Sequence, residues 1–276
     1  MHEEEFAFFC DLIKRKCGIY LEAGKEYLVE ARLDDVAKSL GCPSFTDFYR
    51  RVKFNSTPDI IERIIEAITT PETSFFRDAS PFEALKTYFL PEIAERKKQT
   101  KSLRIWSACC STGQEAYSTA MTIQDIGHLF EGWYVNILGT DISNKVLDIA
   151  RAASYSQHEI SRGLPVTHIP KYLRKDASRW VMNDKIRKMV DFRKLNLFDD
   201  FQGLGVFDLV FCRNVLIYFT VSDKKGILER LVQNVDRNGA LILGSTETIF
   251  GITDVYTKKT FGKLVYYQVN QTHQKF

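Results

Sequence analysis

The stretch Leu103–Ser118, LRIWSACCSTGQEAYS, decides how the rest of the chain is read. It opens as a short apolar run, breaks into small residues from Ala108 to Gly113, and resumes in a pattern compatible with a helix. An apolar strand, a tight turn of small residues and a helix are how α/β folds cradle a nucleotide-like ligand. Small side chains let the backbone come close, and the helix N-terminus offers unpaired N–H groups to an anionic part of the ligand. Gly113 is the only glycine of the turn, so it is no GxGxxG, and no GK[ST] follows to make a Walker loop.

Downstream of this stretch the chain alternates between strands and helices. Strands are expected at Leu103–Ala108, Val135–Thr140, Val190–Leu195, Phe207–Cys212, Ala240–Gly244 and Leu264–Val269. Helices fit at Gln114–Ile126, Asn144–Ala152 and Asp223–Val235. Near-continuous apolar strands such as DLVFC and ALILG suit a parallel sheet covered on both faces. The fold class expected is therefore α/β, a doubly wound Rossmann-like domain whose ligand lies beyond the strand C-termini. Tyr155–Lys188 breaks the alternation, with Gly163, Pro165, Pro170 and short alternating pieces such as Arg179–Met182. It reads as an insertion forming a small antiparallel β-subdomain, at about residues 155–189.

Upstream the pattern is helical only. Glu3–Lys16, Lys25–Leu40, Phe45–Val52 and Asp59–Thr70 each carry an apolar stripe at helical spacing, closed by Gly18, by Gly41 with Pro43, and by Pro71. In the last of them Ile60, Ile61, Ile64, Ile65 and Ile68 share one face. These make a small all-α domain over residues 1–70, a docking module or a lid. Residues 71–80 read as a linker, TTPETSFFRDASP marking the change, and 81–276 as the α/β domain, opening with a helix over Pro81–Arg96. Phe75 and Phe76 either pin the linker to the next domain or hold Arg77 at the mouth of a site; for an arbitrary FFR the first is the simpler reading. The run Glu95–Lys101 reads as a solvated helix end.

Composition narrows the class. A net charge of +3 over 276 residues does not favour a general nucleic-acid-binding surface. No run of about 18 apolar residues is present, and the N-terminus, HEEEF, is unlike a signal peptide. Cys10, Cys17, Cys42, Cys109, Cys110 and Cys212 show no CxxC pair or His/Cys ligand spacing. Reduced thiols in a cytoplasmic protein, without membrane insertion, are expected.

Polar residues that could reach a ligand cluster at the strand ends. Asp141 ends the second strand, where a carboxylate can accept from both hydroxyls of a ribose, although such an acid is often only the cap of the next helix. Asn196–Leu197 follows the third strand, where an amide and a backbone group can read an adenine edge. Arg213–Asn214 follows FDLVFC, a costly place for a guanidinium unless it is paired or faces a ligand. Glu115 lies in the first turn after Gly113, favoured there by the helix dipole and able to bind an ammonium. A ribose, an adenine and an ammonium without a pyrophosphate describe adenosylmethionine better than a dinucleotide, and a dehydrogenase would need the glycine loop that is missing.

The sequence resembles the CheR-type chemotaxis receptor methyltransferases, which methylate glutamate side chains of chemoreceptors with adenosylmethionine. The motifs TTPETSFFRD, WSACCSTGQEAYS, GTDIS, NLFD and FDLVFCRNVLIYF carry the resemblance nearly end to end. It implies a protein-glutamate O-methyltransferase that yields S-adenosylhomocysteine, with no metal and a chemoreceptor's cytoplasmic helical bundle as partner. Cofactor contacts are implied at Thr73, Arg77, Glu115, Asp141, Asn196, Leu197, Arg213 and Asn214, and Arg77 and Tyr218 near the transferring methyl. A non-catalytic S-adenosylmethionine-binding signalling protein of the same fold is the alternative. A monomer is expected.

Three departures from the family pattern stand out. Pro71 replaces the usual Asn of TTNET, so that side-chain contact is not carried over. Ala116 replaces a common Pro at a helix start that tolerates Ala well. In relatives a basic face of the second helix meets the receptor. Here Glu22–Lys38 holds five acids against three bases, leaving only the small stripe of Lys25 and Arg32, with Lys14–Lys16 and Arg50–Lys53 as other basic spots. Some relatives also bind a receptor's C-terminal pentapeptide through a glycine-bearing turn of the inserted sheet. The turn expected at Lys175–Ser178 has no glycine, so that tether is not expected to be required.

Overall fold

A computed structural model describes residues 1–270. Four helices, α1 (Glu3–Cys17), α2 (Glu26–Ser39), α3 (Phe45–Asn55) and α4 (Pro58–Ile68), form the N-terminal bundle. Each turns its apolar stripe inward: Phe9 and Ile13, Val29 and Leu33, Phe48 and Val52, and Ile60, Ile64 and Ile68 are buried together. Ile61 and Ile65 flank that stripe and are half-buried. Ser44 and Thr57 cap α3 and α4 by accepting from the N–H of Asp47 and Ile60. Gly18 closes α1 at φ +75°.

Ten strands follow: β1 (Ser102–Ala108), β2 (Tyr134–Asp141), β3 (Ser154–Ser156), β4 (Leu173–Asp176), β5 (Arg179–Met182), β6 (Val190–Lys194), β7 (Phe207–Cys212), β8 (Val235–Leu243), β9 (Tyr256–Phe261) and β10 (Leu264–Val269). Seven form one sheet in the order β6-β2-β1-β7-β8-β10-β9. The first five are mutually parallel, and β10 and β9 join antiparallel. Strand order reverses between β1 and β7, and such a switch point opens a crevice beyond the strand ends. The sequence reading contains no β9. Along YTKKTF only Tyr256 is buried, so this edge strand shows none of the apolar alternation that marks a strand. The other three strands form the inserted sheet, β3-β5-β4, antiparallel throughout. Its β4–β5 turn lies where expected, with Ala177 rather than a glycine taking φ +51°.

Two local readings are corrected. The helix expected over Pro81–Arg96 is interrupted: Ser80–Ala84 and Leu90–Arg96 flank a π-helical stretch, Leu85–Phe89. Pro91 offers no N–H and its ring crowds the carbonyl four residues earlier, and a wider turn just before it relieves both problems. The solvated helix end at Glu95–Lys101 is partly turned inward. Asp208 of β7 is buried, and its carboxylate accepts from the Lys97 ammonium at 2.9 Å and from the Arg104 N–H at 3.0 Å, with Arg96 3.6 Å away. A carboxylate inside an apolar strand needs a cation, and the helix end supplies it. Among the described residues no helix is long and apolar enough to cross a membrane.

Candidate functional site

The loop after β1 is built from residues in unusual backbone conformations. Cys109, Ser111 and Gly113 take φ +59°, +51° and +93°, alternating along the turn. The loop is held in place by its neighbour: Cys110 N–H donates to the Thr140 carbonyl at 2.8 Å, and Ser111 N–H to the Asp141 carboxylate at 2.9 Å. Gly113 is needed for a second reason besides φ. A Cβ there would lie 3.0 Å from that of Ala150 and 3.2 Å from the Tyr155 hydroxyl. The missing side chain therefore makes room for the protein's own packing, while Cys109 and Ser111 face the cavity described below.

Asp141 ends β2 with its carboxylate also accepting from Ser143 N–H at 3.1 Å. The cap of the following helix, Asn144–Ala152, is Ser143, which accepts from Val146 N–H, so Asp141 is free of the capping role. Burial pushes its carboxyl above the usual Asp value, against the opposing pull of the Ser143, Ser111 and Ile142 N–H groups. The neighbouring thiols of Cys109, Cys110 and Cys212 are pushed well up by burial, with nearby carboxylates adding to it, so they remain protonated.

The linker crosses this loop. Pro71 accepts through its carbonyl from the Ser111 hydroxyl at 2.9 Å, and Phe76 N–H donates to the Ser118 hydroxyl at 2.9 Å. Phe75 is fully buried, edge-on to Tyr155, and Phe76 packs on Phe82. Glu72 pairs with Arg162 of the insertion. The rings thus pin the linker, as the simpler reading of FFR has it, and Arg77 lies on the wall of a small pocket, donating to the Glu72 carbonyl at 3.0 Å.

Arg213, at the end of β7, is buried and paired. Its guanidinium donates to Glu115 at 2.9 Å, to Asp78 at 2.8 Å and to the Arg77 carbonyl at 2.9 Å. Its Nε is buried without a hydrogen-bond partner. Glu115 also accepts from the Ser107 hydroxyl at 2.7 Å, so a ligand ammonium would share this carboxylate with Arg213. Asn214 adopts φ +57°, held by Glu247, whose carboxylate accepts from the N–H groups of Asn214 (2.7 Å), Val215 (3.0 Å) and Gly244 (2.8 Å). Glu247 escapes sequence reading because it lies in a polar loop, STET, more than thirty residues from the segment it fixes.

Two compartments result. A chamber of about 240 Å³ is lined by Asp141, Asn196, Leu197, Arg213, Asn214 and Tyr218. A pocket of about 30 Å³, lined by Thr73, Arg77 and Glu115, shares Arg213 and Asn214 with it. Every residue singled out from the sequence thus lies at one end of the sheet. Asn196 and Leu197 are tied as well: the Asn196 amide donates to the Lys16 carbonyl at 2.8 Å, and the Leu197 carbonyl accepts from Arg230 at 2.7 Å.

The N-terminal domain supplies another part of the chamber wall through Cys17, Ile19, Tyr20, Leu28, Val29 and Arg32. Periodicity could not have found this, since a stripe at helical spacing does not say which side meets a second domain. Arg32 bonds to the Ile68 carbonyl and, at 2.8 Å, to the Thr70 hydroxyl. Of the small basic stripe, Arg32 is therefore turned to the linker and the chamber, whereas Lys25, at the chamber wall, pairs with the exposed Glu22 at 3.1 Å and stays half-exposed.

Comparison with known proteins agrees with this architecture. The CheR methyltransferase all-alpha domain matches residues 4–69 and the CheR methyltransferase SAM-binding domain matches residues 71–264. Chemotaxis protein methyltransferase 1 of Pseudomonas aeruginosa is 39% identical over 91% of this chain and 93% of its own length. Cher2 of Pseudomonas putida is 38% identical with the same coverage, and the chemotaxis protein methyltransferase of Borreliella burgdorferi is 32% identical over 90% and 89%. Among solved structures, magnesium protoporphyrin IX methyltransferase from Synechocystis with bound SAM covers 90% of this chain and 98% of its own at 14% identity, with a TM-score of 0.38. With its all-α domain, its SAM-binding domain and near-full-length relatives, this chain belongs to the CheR family of S-adenosylmethionine-dependent chemotaxis methyltransferases.

Proposed function

We propose that this protein transfers the methyl group of S-adenosylmethionine to glutamate side-chain carboxylates of chemoreceptors, giving glutamate methyl esters and S-adenosylhomocysteine. The observation that carries the reading is the two-compartment cavity at the β1/β7 switch point. An apolar-walled chamber with the half-buried carboxylate of Asp141 on its wall opens onto a small polar pocket holding Arg77, Glu115 and Arg213. The chamber suits the adenosine end of the cofactor, with Asp141 accepting from the ribose. The polar pocket suits its zwitterionic amino-acid end, Glu115 facing the ammonium.

The cofactor brings an electrophilic sulfonium methyl. A glutamate side chain, with a reference pKa of about 4.3, arrives already ionised at neutral pH, so no general base is needed. The work left to the protein is alignment and exclusion of water. Arg77, anchored through the pinned linker, orients a carboxylate, and Tyr218 at the chamber wall fixes the reacting end through its hydroxyl. Neither role calls for a metal.

The partner is the cytoplasmic helical bundle of the receptors, met by a monomer in the cytoplasm. The receptor-tail pentapeptide is not required, because the β4–β5 turn lacks the glycine of tethered relatives. A flat calorimetric titration with that pentapeptide is expected, and a clear isotherm overturns this point. The non-catalytic alternative rests on Pro71, yet Pro71 keeps the linker on the β1 loop through its carbonyl. The deciding experiment is transfer of labelled methyl from S-adenosylmethionine to receptor-containing membranes. Label that is released by base supports an ester; no label, or label stable to base, refutes the assignment.

A further inference from the structure

A second cavity, of about 280 Å³, shares Arg213 with both compartments of the site. It runs from Asp78 and Arg213 past the end of β8, through Thr246 and Thr248, to Lys258 and Lys263 of the β9–β10 hairpin. The β8–β10 register, Tyr267 opposite Leu241, brings Leu264 level with Gly244, so the hairpin tip stands on the same strand-end face as the cofactor chamber. From Val255 to Val269 the chain carries Lys258, Lys259 and Lys263 and no acid.

Lysines on an edge strand guard against pairing with other chains, and for that purpose any position facing solvent would serve. Lys258 and Lys263 differ because they line a cavity with a polar floor. The acids around that cavity are committed: Asp78 to Arg213, and Glu247 to three backbone N–H groups. Among the described residues neither Lys258 nor Lys263 has an ion-pair partner, so the uncommitted charge of the cavity is positive.

We propose that this cavity is a substrate subsite. It takes a carboxylate on the chain that bears the target glutamate, with Lys258 and Lys263 as the recognising charges. The inference rests on the methyl-transfer reading above and adds to it a preference for an acidic neighbour of the methylated residue. The chemistry it needs is a carboxylate, and that could also come from the amino-acid end of the cofactor; the two sources predict different kinetics.

The test is the double variant Lys258→Glu/Lys263→Glu, both positions being exposed, assayed with a chemoreceptor cytoplasmic fragment. The KM for receptor should rise about tenfold, kcat should hold, and S-adenosylhomocysteine affinity by calorimetry should be unchanged. With a receptor fragment whose acidic residues beside the target glutamate are changed to their amides, wild type and variant should become alike. An unchanged receptor KM in the variant, with the wild type active, overturns the subsite and leaves the methyl-transfer reading intact. A loss of S-adenosylhomocysteine affinity overturns it in favour of the cofactor carboxylate. A wild type that transfers no methyl to any receptor fragment removes the parent reading, and this one with it.

Discussion

Replacing Glu247 tests whether a residue outside the cofactor compartments shapes them. Its carboxylate takes three backbone N–H groups, two on Oε2 and one on Oε1, and so holds Asn214 at φ +57°. A non-glycine residue in that region costs about 1 kcal/mol or more, and the clamp offsets it. Glu247→Ala removes all three bonds. At about 1 kcal/mol each, with water reaching a half-buried side chain, the loss of stability is about 3 kcal/mol. Glu247→Gln keeps an acceptor for the Asn214 and Gly244 N–H groups and turns an NH₂ toward Val215 N–H, so about 1–2 kcal/mol is expected. Urea unfolding monitors stability, and S-adenosylhomocysteine calorimetry monitors the site, where both variants should bind more weakly in the same order. Adding Asn214→Gly to Glu247→Ala should recover part of the stability by relieving the φ strain, yet none of the affinity, since the Asn214 side chain is gone. Wild-type affinity in Glu247→Ala would refute the clamp, and recovery of affinity with the glycine would refute a role for the Asn214 side chain.

Arg77→Ala should lower kcat/KM about a hundredfold or more and weaken S-adenosylhomocysteine binding, whereas Tyr218→Phe should cost less than about tenfold; wild-type turnover in Arg77→Ala sinks its assignment. Gly18→Ala places a Cβ 1.9 Å from Cε2 of Phe198 at φ +75°, so about 2–4 kcal/mol of stability should be lost in urea unfolding, and a paired Phe198→Ala should relieve the clash but not the strain. Burial raises the Asp141 carboxyl, so S-adenosylhomocysteine affinity should fall as pH drops through a midpoint above the ordinary Asp value of about 3.9, and Asp141→Asn should bind weakly without that dependence. The stability effect has the opposite sign. A pKa raised in the folded state means the native protein binds this proton more readily than the unfolded chain, so this group favours folding as pH falls.

The α/β domain was legible because DLVFC and ALILG bury both faces, and because the small-residue turn after β1 leaves few readings of Leu103–Ser118. What escaped has a common physical cause. β9 is an exposed edge, so burial leaves no periodic mark on it. The inward turn of Lys97 depends on Asp208, more than a hundred residues away, and no local pattern joins the two. At the strand ends, Arg213 drew notice because a charge after an apolar strand is costly without a partner, and Asp141 because a carboxylate there can accept from a ribose. Glu247 did not, because an acid in a polar loop costs nothing to leave unexplained. Asn196 was found, but its amide is engaged by the Lys16 carbonyl of the other domain, a partner that only the docking of α1 reveals.

That docking makes the N-terminal domain one wall of the chamber, a part that a helical bundle alone would not have. Glu66 of α4 accepts from the Ser143 hydroxyl at 3.2 Å and from Lys145 N–H at 3.1 Å, and Glu62 accepts from Asn144 and Lys194 at 2.6 Å each. Tyr20 N–H donates to the Tyr218 carbonyl at 2.9 Å. These bonds end on, or next to, residues that line the chamber: Asp141, Asn196 and Tyr218. A ligand filling the chamber therefore touches both sides of the domain interface, and its binding energy opposes their separation. Cofactor at a hundred times its Kd adds about 2.7 kcal/mol to the state in which the chamber is closed. Linkage makes the relation reciprocal: Gly18→Ala weakens cofactor affinity by the fraction of molecules in which it leaves the domains undocked, to the extent that the chamber needs both walls. Disruption at Gly18, with the methyltransferase domain's own contacts intact, should thus appear as weaker S-adenosylhomocysteine binding, and a mutant that docks poorly yet binds normally would show that the sheet domain holds the cofactor alone.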